Sequence, residues 1–262
     1  MSGLRNFYEN KLILVTGGAG SIGSEIVRKL LKLSPRVIRV LDLDETGLFE
    51  LEEELRSDKI RILVGDVRDK DRIKRAMEDI DIVFHAAALK HVPLCEYNPF
   101  EAVKTNVVGT QNVIEAAMDE EIEKFITIST DKAVNPVNVM GATKLLAERL
   151  TISANYYKGI RKTAFSCVRF GNVLGSRGSV IPLFVEQIKA KEQITITDAN
   201  MTRFVTSLAY AAEFILKVGE IACGNEIFIL KMPALKVKDL AGVIIEELAQ
   251  KYGYDPDEIE IK

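Results

Sequence analysis

Short apolar runs and helix-like patterns alternate along the first two thirds of the chain. Runs rich in β-branched residues predict buried strands at 11–16, 36–42, 61–66, 81–88, 124–130 and 163–170. Apolar side chains that recur every three to four positions predict helices at 21–33, 46–57, 70–78, about 99–119 and about 141–158. Each predicted strand except the last is therefore followed by a predicted helix.

Strands that alternate with helices form βαβ units, whose helices cover both faces of a parallel sheet. We therefore predict an α/β fold, with a Rossmann-type doubly wound parallel sheet in residues 1–171. Beyond Gly171 the pattern becomes irregular, and GSRGS and TDANMT indicate loops. We expect residues 172–262 to form mainly a smaller substrate-binding portion, interleaved with the last elements of the sheet.

The turn between the first predicted strand and the first predicted helix has the glycine-rich sequence VTGGAGSIGSEI. Gly17, Gly20 and Gly23 allow a tight turn and a close approach to a pyrophosphate. The helix that begins at Ser21 and Ile22 directs N–H groups and the positive end of its dipole toward such phosphates. A glycine motif alone is a weak signal, but its place between a strand and a helix predicts a dinucleotide site.

Carboxylates end the next two predicted strands. Asp42 lies about 20 residues beyond the glycine loop, where a carboxylate can accept hydrogen bonds from ribose hydroxyls. Asp66, followed by Val67, ends the third strand, where it could reach an adenine. Asp42 would repel a 2′-phosphate, and neither Arg nor Lys occurs in the LDETG that follows it. We therefore predict NAD as the cofactor in preference to NADP.

Composition and charge exclude several functional classes. The chain has 262 residues, is 47% hydrophobic and 28% charged, and its net charge of −3 provides no basic field for nucleic acid. Its first ten residues lack the apolar core of a signal peptide, and no apolar run reaches the roughly 18 residues of a membrane span. Cys95, Cys167 and Cys223 lack metal-site spacing, and neither histidine has a neighbour that suggests a metal site. These cysteines favour reduced thiols in a cytoplasmic protein, with a catalytic cysteine as the alternative.

Three longer segments are HAAALKHVPLCEYNPFEAVKTNVVGTQNV, STDKAVNPVNVMGATKLLAE and RFGNVLGSRGSVIPLF. They resemble the UDP-N-acetylglucosamine 4,6-dehydratases of polysaccharide, capsule and glycan synthesis, which are extended short-chain dehydrogenase/reductases. The resemblance covers nearly the whole chain and includes the TGxxGxxG loop. It also includes the alanine-rich end of the fourth strand, so Ala86 and Ala87 are implied to contact the cofactor. The chain departs from the family's YxxxK pair at Met140, which stands in the place of the tyrosine.

This family is usually described in two branches. One has tyrosine in the YxxxK pair and inverts C5 of the sugar, and the other has methionine and retains the C5 configuration. Met140 implies the second branch, which is often the catalytic part of a larger membrane protein. Relatives also continue beyond DPDEIEIK with a segment that helps to cover the sugar nucleotide, so we expect such a segment to be missing here. The C5 configuration of the product, the sugar and its N-acyl group stay open.

The resemblance implies a role for each polar residue of STDKA and for the helix that follows. Asp131 would be the acid at C6, Lys132 the base at C5, and Thr130 a hydrogen-bonding partner of the sugar O4. Lys144 would bind the nicotinamide ribose and set the electric field around O4, whereas Met140 would exclude water. On spacing alone, Asp131 and Lys132 could equally form an ion pair in a loop.

Further residues are expected to contact the substrate. Lys90 and His91 follow the fourth strand at the carboxyl edge of the sheet, where ligands bind in this fold class. His91 could equally be a loop-packing residue. The resemblance implies that Asn172, Ser179 and Arg203 contact the diphosphate or the sugar, and an arginine suits a two-point grip on phosphate oxygens.

The leading hypothesis is a 4,6-dehydratase that removes water from UDP-N-acetylglucosamine or another UDP-N-acetylhexosamine. The alternatives are a C4 epimerase or a C5-inverting dehydratase on the same fold, or an inactive nucleotide-binding scaffold. The segment TDK argues against an epimerase, which needs no acid and base at C5 and C6. Wide apolar arcs on the predicted helices at about 99–119 and 141–158 suggest a homo-oligomer.

Overall fold

The computed structural model describes residues 2–262, which form two compact units. The first unit contains the residues up to Arg169 together with Ala209–Leu230, and the second contains Phe170–Leu208 and Lys231–Lys262. The strands are β1 (Leu12–Thr16), β2 (Val37–Asp42), β3 (Ile60–Val64), β4 (Ile82–His85), β5 (Lys124–Thr130), β6 (Ala164–Phe170), β7 (Asn172–Leu174), β8 (Thr202–Ser207), β9 (Ile227–Ile229) and β10 (Ala234–Lys236). The α-helices are α1 (Ser2–Tyr8), α2 (Ser21–Leu31), α3 (Glu45–Leu55), α4 (Lys70–Met77), α5 (Val92–Tyr97), α6 (Pro99–Val103), α7 (Thr110–Asp119), α8 (Val139–Tyr157), α9 (Val180–Lys189), α10 (Leu208–Ile221) and α11 (Val237–Leu248). A π-helical turn spans Lys104–Gly109, and 3-10 turns span Asp131–Ala133, Gln250–Tyr252 and Pro256–Glu258.

A seven-stranded parallel sheet is the centre of the first unit, with the strand order β3-β2-β1-β4-β5-β6-β9. Strand β1 pairs with both β2 and β4, so the strand order reverses beside β1. In open α/β sheets, ligands bind at such a reversal, beyond the carboxyl ends of the strands. The predicted α/β fold with a doubly wound parallel sheet is confirmed.

Apolar side chains cover the sheet and keep its strand ends in fixed positions. In β1, Ile13, Leu14 and Val15 have no exposed surface. Leu14 belongs to a cluster that also contains Phe125 of β5 and Phe165 of β6, whose ring centroids are 5.3 Å apart. Burial of both faces explains why these strands read as continuous apolar runs rather than as alternating patterns.

Side-chain caps fix where several helices begin. The Gly47 N–H donates to Asp44 Oδ1 (3.0 Å) at the start of α3, and the Gly141 N–H donates to Asn138 Oδ1 (2.8 Å) at the start of α8. Such a cap typically contributes about 1 kcal/mol. Helix α2 differs, because Gly20 stands at its cap position and no side chain caps it. The amino end of α2 is therefore suited to an external anion.

The helix predicted at about 99–119 is instead three consecutive segments: α6, the π-helical turn and α7. Asn106, within the turn, accepts from the Leu89 N–H (2.7 Å) and donates to the Leu89 carbonyl (2.9 Å). Gly109, at the end of the turn, lies so close to Val67 that an added Cβ would be 2.6 Å from Val67 Cγ2. These contacts with distant segments favour the wider turn, and the helical periodicity of the sequence did not reveal them.

Several elements of the first unit, α5 among them, lie outside the strands and helices predicted from the sequence. Helix α1 precedes the sheet, and its buried Tyr8 donates from its hydroxyl to the Leu216 carbonyl of α10 (2.6 Å). Helix α10 and strand β9 come from beyond residue 208 and complete the sheet, with β9 parallel to β6.

The second unit contains a three-stranded sheet with the order β10-β8-β7. Strands β7 and β8 are parallel, whereas β8 and β10 are antiparallel. Phe184 and Ile188 of α9 belong to an apolar cluster that also contains Ala241 and Ile245 of α11. This unit therefore has an apolar core of its own.

Candidate active site

The glycine loop between β1 and α2 is pressed against the residues that follow β4. Gly17 has a φ of +69°, and a Cβ on it would lie 2.5 Å from the Ala87 nitrogen and 2.6 Å from the Ala86 carbonyl carbon. A Cβ on Gly23 would lie 2.2 Å from the Gly17 carbonyl oxygen. A side chain at Gly17 would therefore push the loop away from the residues after β4, and one at Gly23 would push α2 away from the loop.

The loop leads directly into α2, the helix without a side-chain cap. The Gly20 N–H donates to the Gly17 carbonyl (3.2 Å), which closes the turn. Ser21 and Ile22 are the first two residues of α2 and are partly buried. The structure thus brings together the predicted cofactor residues of the loop and the two alanines after β4.

Asp42, at the carboxyl end of β2, is bonded to the backbone beside the glycine loop. Its Oδ2 accepts from the Ala19 N–H (2.9 Å), and its Oδ1 accepts from the Asp44 N–H (3.1 Å). A carboxylate oxygen has a second lone pair, so Asp42 can still accept from a ribose hydroxyl. Asp42 therefore has a structural role in the loop in addition to the role predicted for it.

Asp66, beyond β3, is held by Arg68. The Arg68 Nε donates to Asp66 Oδ2 (2.7 Å), the Arg68 N–H donates to Asp66 Oδ1 (2.8 Å), and Arg68 also pairs with Glu101. Burial raises the pKa of Asp66, but the hydrogen bonds and charge of Arg68 outweigh burial and lower this pKa below its usual value. Val67 is buried and its side chain lies beside Gly109. Its contact with a cofactor stays a prediction.

The three polar residues at the end of β5 share one carboxylate oxygen. Asp131 Oδ1 accepts from the Thr130 hydroxyl (2.9 Å) and from Lys132 Nζ (3.0 Å). The side chains of Asp131 and Lys132 are 26% and 33% exposed. The ion pair between them exists, and it is accessible from outside the core.

Helix α8 supports this trio and carries the methionine and lysine of the altered YxxxK pair. A Cβ on Gly141 would lie 2.4 Å from the Lys132 carbonyl oxygen, so only glycine lets the 3-10 turn approach α8 this closely. Met140 is 5% exposed and packs against Cys95 and Ala102 in a small apolar cluster. One turn later, Lys144 is 6% exposed, and burial lowers its pKa to about 8.

Sequence reasoning missed a buried polar row that crosses the sheet. Thr16 of β1 and His85 of β4 are paired in register, and Thr16 Oγ1 lies 2.7 Å from His85 Nδ1. His85 Nε2 lies 2.9 Å from the hydroxyl of Thr110, which itself donates to the Asn106 carbonyl (2.6 Å). Since Thr110 uses its own proton there, His85 Nε2 is the donor and Nδ1 accepts from Thr16. The sequence HAAA could have drawn attention to its histidine as well as to its alanines.

Burial, followed by the nearby Lys144 charge, lowers the pKa of His85 to about 3 from an ordinary value of 6.5. As the pH falls, His85 is therefore protonated near pH 6.5 in the unfolded chain but only near pH 3 in the folded chain. The resulting stability is complete above pH 6.5 and is lost as the pH falls toward 3. At pH 5 this loss amounts to about 2 kcal/mol of unfolding free energy.

We expect His85→Gln to be less stable than the wild type at pH 7.5 but to lose less stability between pH 7.5 and pH 5. Urea unfolding at both pH values measures the two differences. His91→Gln, which alters the exposed histidine, is the matched control and should follow the wild type. An equal pH dependence in wild type and His85→Gln would contradict a buried His85 that stays neutral.

The remaining predicted substrate residues lie in two places. Lys90 and His91 are exposed after β4, where His91 precedes α5 without capping it through its side chain. In the second unit, Asn172, Ser179 and Arg203 line one pocket, which also has an apolar wall that includes Val180 and Leu235. Ser179 Oγ is buried and has no hydrogen-bond partner within residues 2–262, and Arg203 Nη1 donates to the Thr202 carbonyl (2.9 Å). The structure thus brings together Asn172, Ser179 and Arg203, the three residues predicted to contact the diphosphate or the sugar.

Comparison with known proteins places this arrangement in a family. Residues 13–262 match the family described as "Polysaccharide biosynthesis protein". The chain belongs to this family.

Relatives within and around this family have different names. The chain is 71% identical over 259 residues to an uncharacterized membrane protein of Methanocaldococcus jannaschii. The aligned region covers 99% of this chain and 78% of the relative. The chain is 46% identical over 246 residues to the UDP-N-acetylglucosamine 4,6-dehydratase (inverting) of Campylobacter jejuni, covering 93% and 74%. A solved structure of Pen from Bacillus thuringiensis has 50% identity and a TM-score of 0.94, covering 98% and 79%. Proteins named UDP-glucose 4-epimerase in Rickettsia bellii are 42% to 43% identical.

The likeness to a membrane protein raises the question of a spanning helix. None of the helices in residues 2–262 combines the length and apolar character needed to cross a bilayer.

The glycine loop of this family member fits a dinucleotide. Gly17 and Gly23 leave no room for a Cβ, so the loop packs tightly against the end of β4 and the start of α2, and α2 begins without a side-chain cap. These two features leave backbone N–H groups for a pyrophosphate, as in other α/β proteins with this loop. The residues that would hold the cofactor are therefore Gly17, Gly20 and Gly23, with Asp42 beside them.

Proposed function

We propose that the protein is a sugar-nucleotide 4,6-dehydratase, which removes water from UDP-N-acetylglucosamine or another UDP-N-acetylhexosamine. The product would be a UDP-4-keto-6-deoxy sugar for polysaccharide or glycan synthesis. The observation that carries this proposal is the convergence of Thr130 and Lys132 on one oxygen of Asp131. Membership of a polysaccharide biosynthesis family and 46% identity to a 4,6-dehydratase support it.

The proposed reaction needs an acid and a base beside the cofactor site. A nicotinamide dinucleotide held by the glycine loop and Asp42 would supply the redox chemistry, namely hydride removal from C4 and hydride return to C6. A ketone at C4 acidifies the C5 proton, which Lys132 removes while Asp131 protonates the departing C6 hydroxyl. Thr130 holds O4, and Lys144 places a positive charge nearby.

The bond between Lys132 and Asp131 explains how both groups reach their working forms. Transfer of one proton along this 3.0 Å hydrogen bond converts the ion pair into a neutral amine and a protonated carboxyl. Removal of the C5 proton and protonation of the leaving hydroxyl then restore the ion pair. When hydride reaches C6, Lys132 returns a proton to C5, and the proton released from O4 through Thr130 replaces it on the pair. Each turnover therefore ends with the starting ion pair and one water.

The test is incubation with UDP-N-acetylglucosamine and NAD in heavy water, followed by mass spectrometry and NMR of the product. We expect loss of one water and solvent deuterium at C5. The configuration at C5 in the same spectrum distinguishes retention from inversion. An unchanged sugar nucleotide would overturn the proposal and favour the alternative of an inactive nucleotide-binding scaffold.

A UDP-sugar 4-epimerase is the second candidate, because relatives with that name are 42% to 43% identical. An epimerase would change the C4 configuration without losing water and without taking up deuterium at C5. Lys132 and Asp131 would then be dispensable for the chemistry. The same experiment therefore separates the two activities.

We expect NAD to bind more tightly than NADP, because Asp42 places a negative charge where a 2′-phosphate would lie. Two like charges about 4 Å apart repel by at least about 1 kcal/mol, so the preference should be about fivefold or more. Asp42→Asn removes the charge but keeps an acceptor for Ala19, so it should narrow the preference with little loss of NAD affinity. Calorimetric titration measures both affinities in both proteins.

Asp42→Ala is the matched comparison, because it removes both the charge and the acceptor. It should narrow the preference and also weaken both cofactors. Tighter binding of NADP than of NAD by the wild type would contradict the prediction.

We also propose that the protein is a cytoplasmic homo-oligomer that buries apolar side chains of α6 and α8. Phe100 on α6 is 78% exposed and Leu146 on α8 is 51% exposed in the single chain. Phe100→Glu or Leu146→Glu should lower the molecular mass seen by sedimentation. Ile160→Glu, at a fully exposed position outside both helices, is the control. A monomeric wild type would contradict the proposal.

A further inference from the structure

Helix α8 carries a second buried charge one turn after Lys144. Glu148 is 1% exposed, and the i, i+4 spacing places it on the same face of the helix as Lys144. Arg169 of β6 grips both oxygens of this carboxylate, with Nε 2.7 Å from Oε1 and Nη2 2.5 Å from Oε2. This two-point grip in the core is among the strongest hydrogen-bonded ion pairs that side chains form.

Arg169 orients both oxygens of the Glu148 carboxylate toward β6. Within residues 2–262, Lys144 makes no side-chain hydrogen bond or ion pair, although Glu148 lies one turn away. A direct ion pair would occupy the ammonium donors of Lys144. With Glu148 held by Arg169, those donors stay available for a ligand while the negative charge remains close.

The other groups around Lys144 contribute little net charge. His85 on β4 is neutral, because burial and then Lys144 lower its pKa to about 3. Cys167 on β6 is a neutral thiol, because burial raises its pKa to about 12. Asp131 and Lys132, on the 3-10 turn packed against α8, offset each other in their ion pair. Burial lowers the pKa of Lys144, whereas Cys167 and Glu148 act to raise it. Because Cys167 is a neutral thiol, Glu148 supplies the negative charge that counteracts burial, and its pairing with Arg169 weakens this charge without cancelling it at Lys144.

We propose that Glu148 is a positioning residue that keeps Lys144 protonated, while Arg169 holds the Glu148 carboxylate out of direct contact. This inference rests on the proposed function for the use of the Lys144 charge at O4 and the ribose. Burial alone would drive Lys144 toward the neutral amine, which offers a much weaker field. The Glu148 carboxylate, which does not contact Lys144, favours the protonated form of Lys144 without occupying the N–H donors of its ammonium.

The variant Glu148→Gln tests the inference, because glutamine has nearly the same shape and keeps one acceptor for Arg169. We expect the protonation midpoint of Lys144 to fall by about one pH unit, or about tenfold in proton binding. Glu148→Asp, which keeps the charge, should stay much closer to the wild type. NMR of carbon-13-labelled lysine measures the midpoint, and Lys144→Met identifies the signal by its loss.

A variant of the other partner provides a change of opposite sign. Arg169→Gln removes a nearby cation and releases Glu148 toward Lys144, so the Lys144 midpoint should rise. This variant decides the matter if Glu148→Gln does not fold. An unchanged Lys144 midpoint in whichever of the two variants folds would overturn the inference.

The pH profile of dehydration links the measurement to activity. In Glu148→Gln, the alkaline limb of the rate should move to lower pH by the same amount as the NMR midpoint. A purely structural role of Glu148 would lower the rate at every pH without moving this limb and would overturn the inference. If the wild type shows no dehydration, the proposed function fails, and the NMR titration still tests the charge relation between Glu148 and Lys144.

Discussion

Asp131→Asn and Lys132→Ala are each expected to slow water loss by about 10²–10⁴-fold while leaving dinucleotide binding nearly unchanged. Asparagine keeps an oxygen for the Thr130 hydroxyl but cannot donate the proton that the C6 hydroxyl needs. Alanine at position 132 removes the base. Neither residue lies in the glycine loop, so cofactor affinity should be preserved.

The two variants should fail at different stages. In heavy water, Asp131→Asn should exchange the C5 proton for deuterium slowly, because Lys132 remains but has lost the carboxylate that takes up its proton, and it should not release water. Lys132→Ala should neither exchange C5 nor release water. NMR of the recovered sugar nucleotide distinguishes these outcomes.

Lys217→Ala is a matched control, because Lys217 also pairs with a carboxylate, that of Glu220 (2.6 Å), but on the surface. It should dehydrate at the wild-type rate, since exposed pairs contribute little even to stability. Near wild-type dehydration by Asp131→Asn or by Lys132→Ala would show that the role assigned to that residue is wrong.

The strands β1, β4, β5 and β6 could be predicted because they are almost wholly buried, which leaves a largely apolar run. Strand β9 has three residues, Ile227–Ile229, and a run this short has no recognisable period. Helix α1 lacks an apolar face that the sequence reveals. The buried contact of Tyr8 with α10, more than 200 positions away, is a feature that only the fold shows.

The candidate site was predictable where chemistry lies at strand ends, as in the glycine loop and the TDK segment. It was not predictable where function depends on pairing between distant elements. Glu148 reads as an ordinary polar position in LLAERL, and nothing in the sequence connects it with Arg169. Likewise, the sequence shows His85 as one polar residue in an apolar run, whereas the fold places it between two threonine hydroxyls.

Thr130→Val is expected to lose most of the dehydration activity, whereas Met140→Leu should keep most of it. With no phenol at position 140, the O4 proton needs another route, and the Thr130 hydroxyl already donates to Asp131 Oδ1 (2.9 Å). Valine has nearly the same shape as threonine but cannot relay a proton. Thr130→Ser restores the hydroxyl and should recover activity.

The packing of Met140 determines which substitution gives a clear answer. Its side chain is buried against Cys95 and Ala102, which fits an apolar filler that keeps water from the helix. Met140→Ala should retain much of the activity but lose about 2–5 kcal/mol of stability through the cavity it leaves. Met140→Leu keeps the volume and should cost less than about 1.5 kcal/mol.

Dehydration rates, measured together with unfolding and NAD binding, separate the two roles. A severe loss of rate in Met140→Leu, with folding and NAD binding intact, would show that the thioether takes part in catalysis. A wild-type rate in Thr130→Val would remove threonine from the proton route. The expected pattern is that activity needs the Thr130 hydroxyl but not the Met140 thioether. This pattern would mean that the O4 proton is taken up by residues at the end of β5 rather than by position 140 on α8.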